Sequence, residues 1–427
     1  MSGKIHIERM MHRNSIAVRG ESVASYALLK LIPTGEGNGQ STVRLNLALV
    51  LDVSGSMYEE DGTNQSRLQR VQNAALAALP KLRPTDTLTV VAFAHNADVV
   101  LPPTSLADLE MVMNTLKTID RFEIDPGGTA MDEGIKLALE QLGKQQEPDT
   151  LSYMLVLTDG ETSGEQNCRQ LAQQLADQKI ASTFMGVGTE WNANLIKDLA
   201  KTANGNWHYI DVEKAEDTEK AFLREFAHLS AAAFTNVNIS LRPVKDVRIK
   251  RCRQVVPEIK ELTLQQPEER HFLATIGTLE ASKSTRYILD LSLPQRPDGN
   301  YVVAQLEVTY TYGGKEESTG AVPLQVTYSA NNPSYINAEV AKHIDEVQVF
   351  EMNSNLQQAI ASANASEVKR LAESIEKKAE HMGPRGAKKT MLARQALSEL
   401  SAGGRVSKKT QLALEECSKM AEEMPAV

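Results

Sequence analysis

Leu49-Val50-Leu51-Asp52-Val53-Ser54-Gly55-Ser56-Met57 is an apolar run of strand length that ends abruptly in an acid and two hydroxyls at alternate positions. Asp52, Ser54 and Ser56 stand at i, i+2 and i+4 where the strand runs out, so a tight loop containing Gly55 turns all three oxygens toward one point. In an open α/β sheet that point lies in the crevice at the carboxyl ends of the strands, where ligands bind. Two further stretches converge on the same edge. Pro126-Gly127-Gly128-Thr129 is a glycine turn that delivers a threonine hydroxyl to the start of a helix, with Met131, Ile135, Ala138 and Leu142 as its buried stripe. Tyr153-Met154-Leu155-Val156-Leu157-Thr158-Asp159-Gly160 is a second apolar strand ending in an acid.

Working outward from these loops, short apolar runs alternate with helix-period segments between Arg44 and Ser230, the pattern of a parallel sheet covered on both faces. Leu45 to Leu51, Leu88 to Ala94, Tyr153 to Thr158, Ser182 to Val187 and Trp207 to Ile210 read as strands. Leu68, Val71, Ala75, Leu79 and Leu82 fall on one helical face, as do Leu109, Val112, Leu116 and Ile119, with Ser66 and Ser105 as caps. The expected class is α/β, with a doubly wound and mainly parallel sheet.

After Ser230 the residues turn β-branched and aromatic, in Val237 to Leu241, Tyr287 to Leu293, Tyr301 to Tyr310 and Ala321 to Tyr328. The turn dipeptides Asp298-Gly299 and Gly313-Gly314 suit an antiparallel β-sandwich. Ser22 to Ile32 also reads as a strand and is assigned to that sandwich, with Pro33 to Gly39 leading into the α/β segment, which then becomes an insertion. Beyond Asn331-Asn332-Pro333 the sequence is helical, with Val368, Leu371, Ile375, Ala379 and Met382 tracing a stripe that stops at His381-Met382-Gly383-Pro384. The expected organisation is residues 1–43 with the sandwich, 44–230 as the α/β domain, 231–332 as the sandwich and 333–427 as a helical domain.

A chain of 427 residues, 41% hydrophobic and 24% charged, is large enough for at least two domains and too apolar to be disordered. With Lys+Arg 46 against Asp+Glu 55, the net charge of -9 disfavours nucleic acid or an anionic membrane as partner of the whole molecule. Only the segment from Ala365 to Glu416 is mildly basic, with 11 Lys/Arg against 7 Asp/Glu, and it reads as a solvated helical face. Cys168, Cys252 and Cys417 are odd in number and far apart, which suggests neither a disulfide framework nor a zinc cluster. The charged N-terminal residues do not form a signal peptide, and no apolar run reaches membrane-spanning length. A cytoplasmic location is the expectation.

Three hydroxyls and two carboxylates, without His or Cys, select a hard divalent cation: Mg²⁺ first, with Mn²⁺ or Ca²⁺ as alternatives, and zinc disfavoured. The competing reading has Asp52 and Asp159 capping helices and the serines satisfying loop amides. His95 follows a strand at the same sheet edge and reads as a solvated loop residue. His208 reads as structural, and Cys168 has no base or resolving cysteine beside it.

On these motifs the segment from Arg44 to Ser230 resembles the von Willebrand factor A-type domain family, of the bacterial cytosolic multi-domain type. Gly186-Val187-Gly188 and Asn204-Gly205-Asn206-Trp207-His208-Tyr209 are similar to the family's closing strand-helix-strand. The resemblance implies an intact metal-ion-dependent adhesion site at Asp52, Ser54, Ser56, Thr129 and Asp159. Ser54, Ser56 and Thr129 would bind the cation directly, and Asp52 and Asp159 through ordered waters. Neutral ligands leave the cation most of its charge, so it seeks an external Asp or Glu from a protein partner. The resemblance also implies that binding could shift the final helix, Ala215 to Leu229. One departure is the acidic extension Tyr58 to Gln65, from which Glu59, Glu60 or Asp61 could act as an internal stand-in ligand.

The expected function is therefore a non-enzymatic, cation-dependent adaptor or scaffold without a membrane partner. Relatives of such domains work with AAA+ ATPases, with metal-insertion complexes or alongside kinases and phosphatases. Two alternatives stand beside it. One is a Mg²⁺-dependent phosphohydrolase of the haloacid dehalogenase kind, for which the carboxylate needed two residues after Asp52 is replaced by Ser54. The other is a regulator of oligomer assembly or nucleic-acid binding through the helical tail.

Overall fold

A computed structural model describes residues 4–18, 22–34, 43–60, 64–121, 124–145, 150–212, 214–330 and 334–420. The chain divides into two compact units, one of Asn38–Thr235 with Gly313–Lys315, the other of Met1–Gly37, Asn236–Tyr312 and Glu316–Val427.

The first unit is built on a six-stranded sheet in which Arg44–Asp52 lies between Thr87–Phe93 and Thr150–Thr158. Ala181–Val187 and Asn206–Ile210 continue it in parallel. Every residue of the central strand after Arg44 is buried, so its unbroken apolar run reflects cover on both faces. Leu45, Leu47, Leu49 and Leu51 share one core with α1 (Arg67–Ala78), α2 (Leu109–Lys117) and α6 (Ala215–Ala231). The alternate residue Val50 faces α3 (Met131–Gly143), where a Cβ on Gly134 would stand 3.1 Å from Val50 Cγ1. The helices α4 (Glu165–Asp177) and α5 (Ala193–Thr202) pack in series beside α3. This is the doubly wound α/β class.

Two details differ from expectation. Ala97–Ser105, unassigned from sequence, is an antiparallel edge strand paired with Thr87–Phe93. Its prolines Pro102 and Pro103 hide it from a pattern search, and an edge is where a strand tolerates proline. Ser66 caps α1, in a reciprocal capping box with Gln69. Ser105 instead caps a single 3₁₀ turn, and Asp108 caps α2 by accepting from the Met111 N–H.

In the second unit Lys4–Met11, Val23–Thr34, Thr285–Leu293, Arg248–Val256 and Lys260–Leu262 form one antiparallel sheet in that order. Ala232–Pro243, Gly299–Tyr312 and Val322–Ser329 run through the centre of the other sheet. The strand Val23–Thr34 thus lies inside the sheet formed by residues far downstream, beside Thr285–Leu293. Most of the Pro/Gly-rich connection after it lies outside the described residues, as does Asn331-Asn332-Pro333.

The C-terminal helices are α7 (Ala338–Ala361), α8 (Ala365–His381), α9 (Ala387–Gly403) and α10 (Lys408–Lys419). Val340, Ile344 and Val347 of α7 pack on Leu28, Val255, Ile259 and Ile288. Arg253, 1% exposed, is held by Asp290 at 3.0 Å and by Glu351 of α7. The helices therefore share a unit with the sheets. In the mildly basic tail, Arg370 pairs with Glu367, Lys378 with Asp345, Arg385 with Glu346, and Arg394 with Glu376 and Glu380. At least these four of its 11 basic residues are paired within the chain.

The sheet of the first unit closes through a tight approach. Asn204 adopts a left-handed φ of 53°, and the Gly205 N–H donates to Ala200 O at 2.8 Å, which ends α5 in a Schellman turn. A Cβ on Gly205 would lie 1.6 Å from the Ser182 carbonyl oxygen. Both tryptophans of the chain, Trp191 and Trp207, belong to this unit, so their fluorescence reports its unfolding alone. We predict that Gly205→Ala lowers the stability of this unit by about 3 kcal/mol in urea unfolding, because the obstacle is backbone and cannot rotate away. A loss under about 0.5 kcal/mol, as at an ordinary surface site, would contradict the packing described.

Candidate metal centre

Register decides which side chains meet. Leu51 pairs with Leu157 and Asp52 with Phe93, so Asp52 and Asp159 emerge from adjacent strands at the same end of the sheet. Both carboxylates are 0% exposed. Asp52 is enclosed by its own loop on one side and by the adjacent strand on the other. Its Oδ1 accepts from the Ser54 N–H at 2.9 Å and its Oδ2 from the Thr158 hydroxyl at 2.7 Å. Burial pushes its carboxyl up to about 6, hydrogen bonds from Ser54 and Thr158 pull it down, and the Asp159 charge pushes it up.

The loop after Asp52 forms a short 3₁₀ turn, Gly55–Tyr58, with the Gly55 N–H donating to Pro126 O at 3.1 Å. This bond places the glycine turn against the serine loop. Ser54 Oγ and Ser56 Oγ lie 3.2 Å apart, and the Ser56 hydroxyl donates to Asp159 Oδ1 at 2.8 Å. Thr129 completes the rim: its Oγ1 would be 3.4 Å from a Cβ on Gly160, and its carbonyl accepts from the Thr162 hydroxyl at 2.8 Å. All five oxygen-bearing residues expected from the sequence, Asp52, Ser54, Ser56, Thr129 and Asp159, thus line one hollow. Ser56 and Thr129 are half-buried and the two acids lie beneath.

The donor set fits a hard cation. Octahedral Mg²⁺ holds oxygens at about 2.1 Å, which sets neighbouring ligands about 3 Å apart. The Ser54–Ser56 oxygen spacing matches adjacent vertices. Among the described residues, no group of three or more His, Cys, Asp or Glu is placed to hold a metal, so a cation here would depend on hydroxyls.

One residue in the hollow was not legible from sequence. Arg67 Nη1 donates to Asp159 Oδ2 at 2.7 Å, and Arg67 Nη2 stands 3.5 Å from Glu59 Oε2. The acidic extension therefore meets the site through Arg67, by way of Glu59. Asp61 lies outside the described residues. The separation of Arg67 from Asp159 by 92 positions left no local signal.

His95 is exposed on the loop beside Gly128, whose Cβ would lie 3.3 Å from His95 Cα. His208 is buried and bonds Glu225 Oε1 at 2.9 Å, in a network that includes Thr183 and Tyr153. Burial would raise Glu225, but the hydrogen bond and charge of His208 outweigh it and hold the carboxyl at about 2. Burial pushes the Cys168 thiol up to about 12, which removes the basis for a reactive role.

This architecture, a doubly wound sheet whose strand ends gather hydroxyls over two acids, defines an oxygen-lined α/β domain. A sequence model of the von Willebrand factor type A domain matches residues 47–161, and the chain carries such a domain. It is 32% identical over 274 residues to an uncharacterized protein of Synechocystis sp. (strain ATCC 27184 / PCC 6803 / Kazusa), a match covering 62% of this chain and 61% of that protein. The chain thus spans less than two thirds of that relative. In fold it is similar to a solved von Willebrand factor type A protein from Catenulispora acidiphila, at a TM-score of 0.80 and 16% identity, covering 98% of this chain and 97% of that one. The ArnB paralog VWA2 from Sulfolobus acidocaldarius is similar at a TM-score of 0.57 and 14% identity, with 97% of both chains covered. The arrangement of sheets and helices outside the α/β domain is thus shared as well. Among the described residues no helix is long and apolar enough to cross a membrane.

A folded carboxyl held near pH 6, above its unfolded value near 4, binds its proton more tightly in the folded state. Its contribution to stability is complete below about pH 4 and is lost as pH rises through 6. We predict that, in EDTA, Asp52→Asn gains about 2–3 kcal/mol over the original chain between pH 4 and pH 7. The readout is the urea midpoint by tryptophan fluorescence, and a difference independent of pH would contradict the buried charge.

Proposed function

We propose that this chain is a divalent-cation-dependent protein-binding module, an adaptor or scaffold whose metal-ion-dependent adhesion site docks an Asp or Glu of a partner. The observation that carries the reading is the pair of serine hydroxyls, 3.2 Å apart, with one of them bonded to Asp159. Ser54, Ser56 and Thr129 would hold the ion directly, Mg²⁺ being the first candidate. A bound ion would supply a strong positive centre at the mouth of the hollow. Neutral hydroxyls do not cancel that charge, so an incoming carboxylate is the natural partner group. The two acids beneath orient the hydroxyls: Asp52 fixes the Ser54 backbone and Thr158, and Asp159 accepts a hydrogen bond from the Ser56 hydroxyl.

The reading is non-enzymatic. A nucleophilic Asp52 would need a free oxygen aimed at substrate, whereas one of its oxygens accepts from its own loop and the other from Thr158 on the adjacent strand, and the side chain is fully buried. The position two residues on, where an acid/base carboxylate would be needed, is Ser54.

Titration calorimetry with Mg²⁺ and Mn²⁺ tests the site. We predict binding heat with the original chain and at least about tenfold weaker affinity with Ser54→Ala or Ser56→Ala, since each removes a ligand. Proteins captured by the full chain should be released by EDTA, restored by Mg²⁺ and competed by a Glu-containing peptide, with no hydrolysis of p-nitrophenyl phosphate. Capture unchanged by chelator and by Ser56→Ala would sink the proposal.

A further inference from the structure

Arg67 occupies a place that local rules oppose. It is the first residue of α1, where the helix dipole favours anions and disfavours a cation, and the first turn of this helix carries no acid. Its position is nevertheless tightly fixed. Ser66 before it closes the capping box with Gln69, and the Arg67 N–H donates to Glu59 O at 3.3 Å. The side chain is 15% exposed, and its guanidinium lies between two acceptors, Asp159 at 2.7 Å and the largely exposed Glu59 at 3.5 Å. Its Nε is buried without a hydrogen-bond partner, so the fork is not locked into a bidentate grip on either one. Asp159 therefore faces two ways, with Oδ1 toward Ser56 and the hydroxyl hollow and Oδ2 toward Arg67.

We propose that Arg67 is a built-in counter-cation of the site, a positioning residue that competes with a divalent ion for the charge of Asp159 and so sets the cation affinity, with Glu59 as its second seat. The inference rests on the reading of the hollow as a cation site. A buried Asp159 needs a positive partner, and Arg67 supplies it from within the chain. An ion held by Ser54, Ser56 and Thr129 brings like charge into the same enclosed neighbourhood, where repulsion is weakly screened. Arg67 then lowers the affinity of the site, and Glu59 relieves the conflict by drawing the guanidinium outward. A broken helix-terminus rule at a functional hollow is where such a compromise is expected.

The test is titration of the full chain with Mn²⁺ alone, followed by calorimetry, together with thermal unfolding in EDTA. Arg67→Gln should bind Mn²⁺ about tenfold more tightly than the original chain while melting at a lower temperature in EDTA, opposite signs that a purely structural arginine would not give. Arg67→Lys, which keeps the charge, should stay within about threefold of the original affinity. Glu59→Gln, a change on an exposed side chain that leaves the fold intact, should weaken Mn²⁺ binding about threefold in the original chain and have no effect in the Arg67→Gln background. Equal or weaker Mn²⁺ affinity in Arg67→Gln, or a Glu59→Gln effect of the same size in both backgrounds, overturns this inference alone. If Arg67→Gln does not fold, an unchanged or tighter affinity in Glu59→Gln overturns it. No Mn²⁺ binding by the original chain or any variant overturns the cation-site reading with it.

Discussion

Two carboxylates from neighbouring strands, Asp52 and Asp159, are buried side by side with no solvent exposure. Removing a carboxylate from water is costly unless hydrogen bonds or an opposite charge replace the water, and two together repel. The surroundings of the hollow can be understood as the solution to that problem. Asp52 is supplied with donors by the Ser54 amide and the Thr158 hydroxyl. Asp159 is supplied by the Ser56 hydroxyl and the Arg67 guanidinium. The abrupt end of the central strand, the glycine in the serine loop and the capped start of α1 are the local devices that bring those donors to the acids.

The fold positions the hollow through register rather than through local strength. Parallel pairing of Arg44–Asp52 with Thr150–Thr158 makes both strands stop at one level, so each apolar run delivers its acid to the same rim. The antiparallel edge strand Ala97–Ser105 and the Schellman turn at Asn204 and Gly205 complete the two flanks of the same sheet. A second buried polar cluster, Tyr153, Thr183, His208 and Glu225, ties α6 to the strands of the sheet. Glu225 remains ionised there because His208 compensates its burial.

How much of this was legible follows from where each signal resides. Asp52, Ser54 and Ser56 were readable because strand, acid and hydroxyls are consecutive, and Thr129 and Asp159 because each sits at the end of its own strong pattern. Ser66 was readable as a cap because Gln69 follows at the required spacing. Arg67 was not readable: its meaning is its contact with Asp159, 92 residues away, and an arginine at a helix start looks like an ordinary charged residue. Ser105 was misleading because a 3₁₀ turn separates it from α2, where Asp108 is the cap. The strands Lys4–Met11, Arg248–Val256 and His271–Glu280 went unassigned for lack of a sustained pattern: Ile5 and Ile7 alternate with Lys4, His6 and Glu8 over only five residues, four of the nine residues of Arg248–Val256 are basic, and His271–Glu280 is largely half-buried without strict alternation. Their pairing supplies what their composition does not.

Whether the hollow holds a cation is decided by a crystal grown with Mn²⁺ and measured at a wavelength where manganese scatters anomalously. One strong anomalous peak is expected in the hollow, with Ser54 Oγ, Ser56 Oγ and Thr129 Oγ1 at coordination distance and Asp52 and Asp159 just behind them. A crystal grown at saturating Mn²⁺ without that peak, or with manganese bound only elsewhere, would contradict a cation site in the hollow.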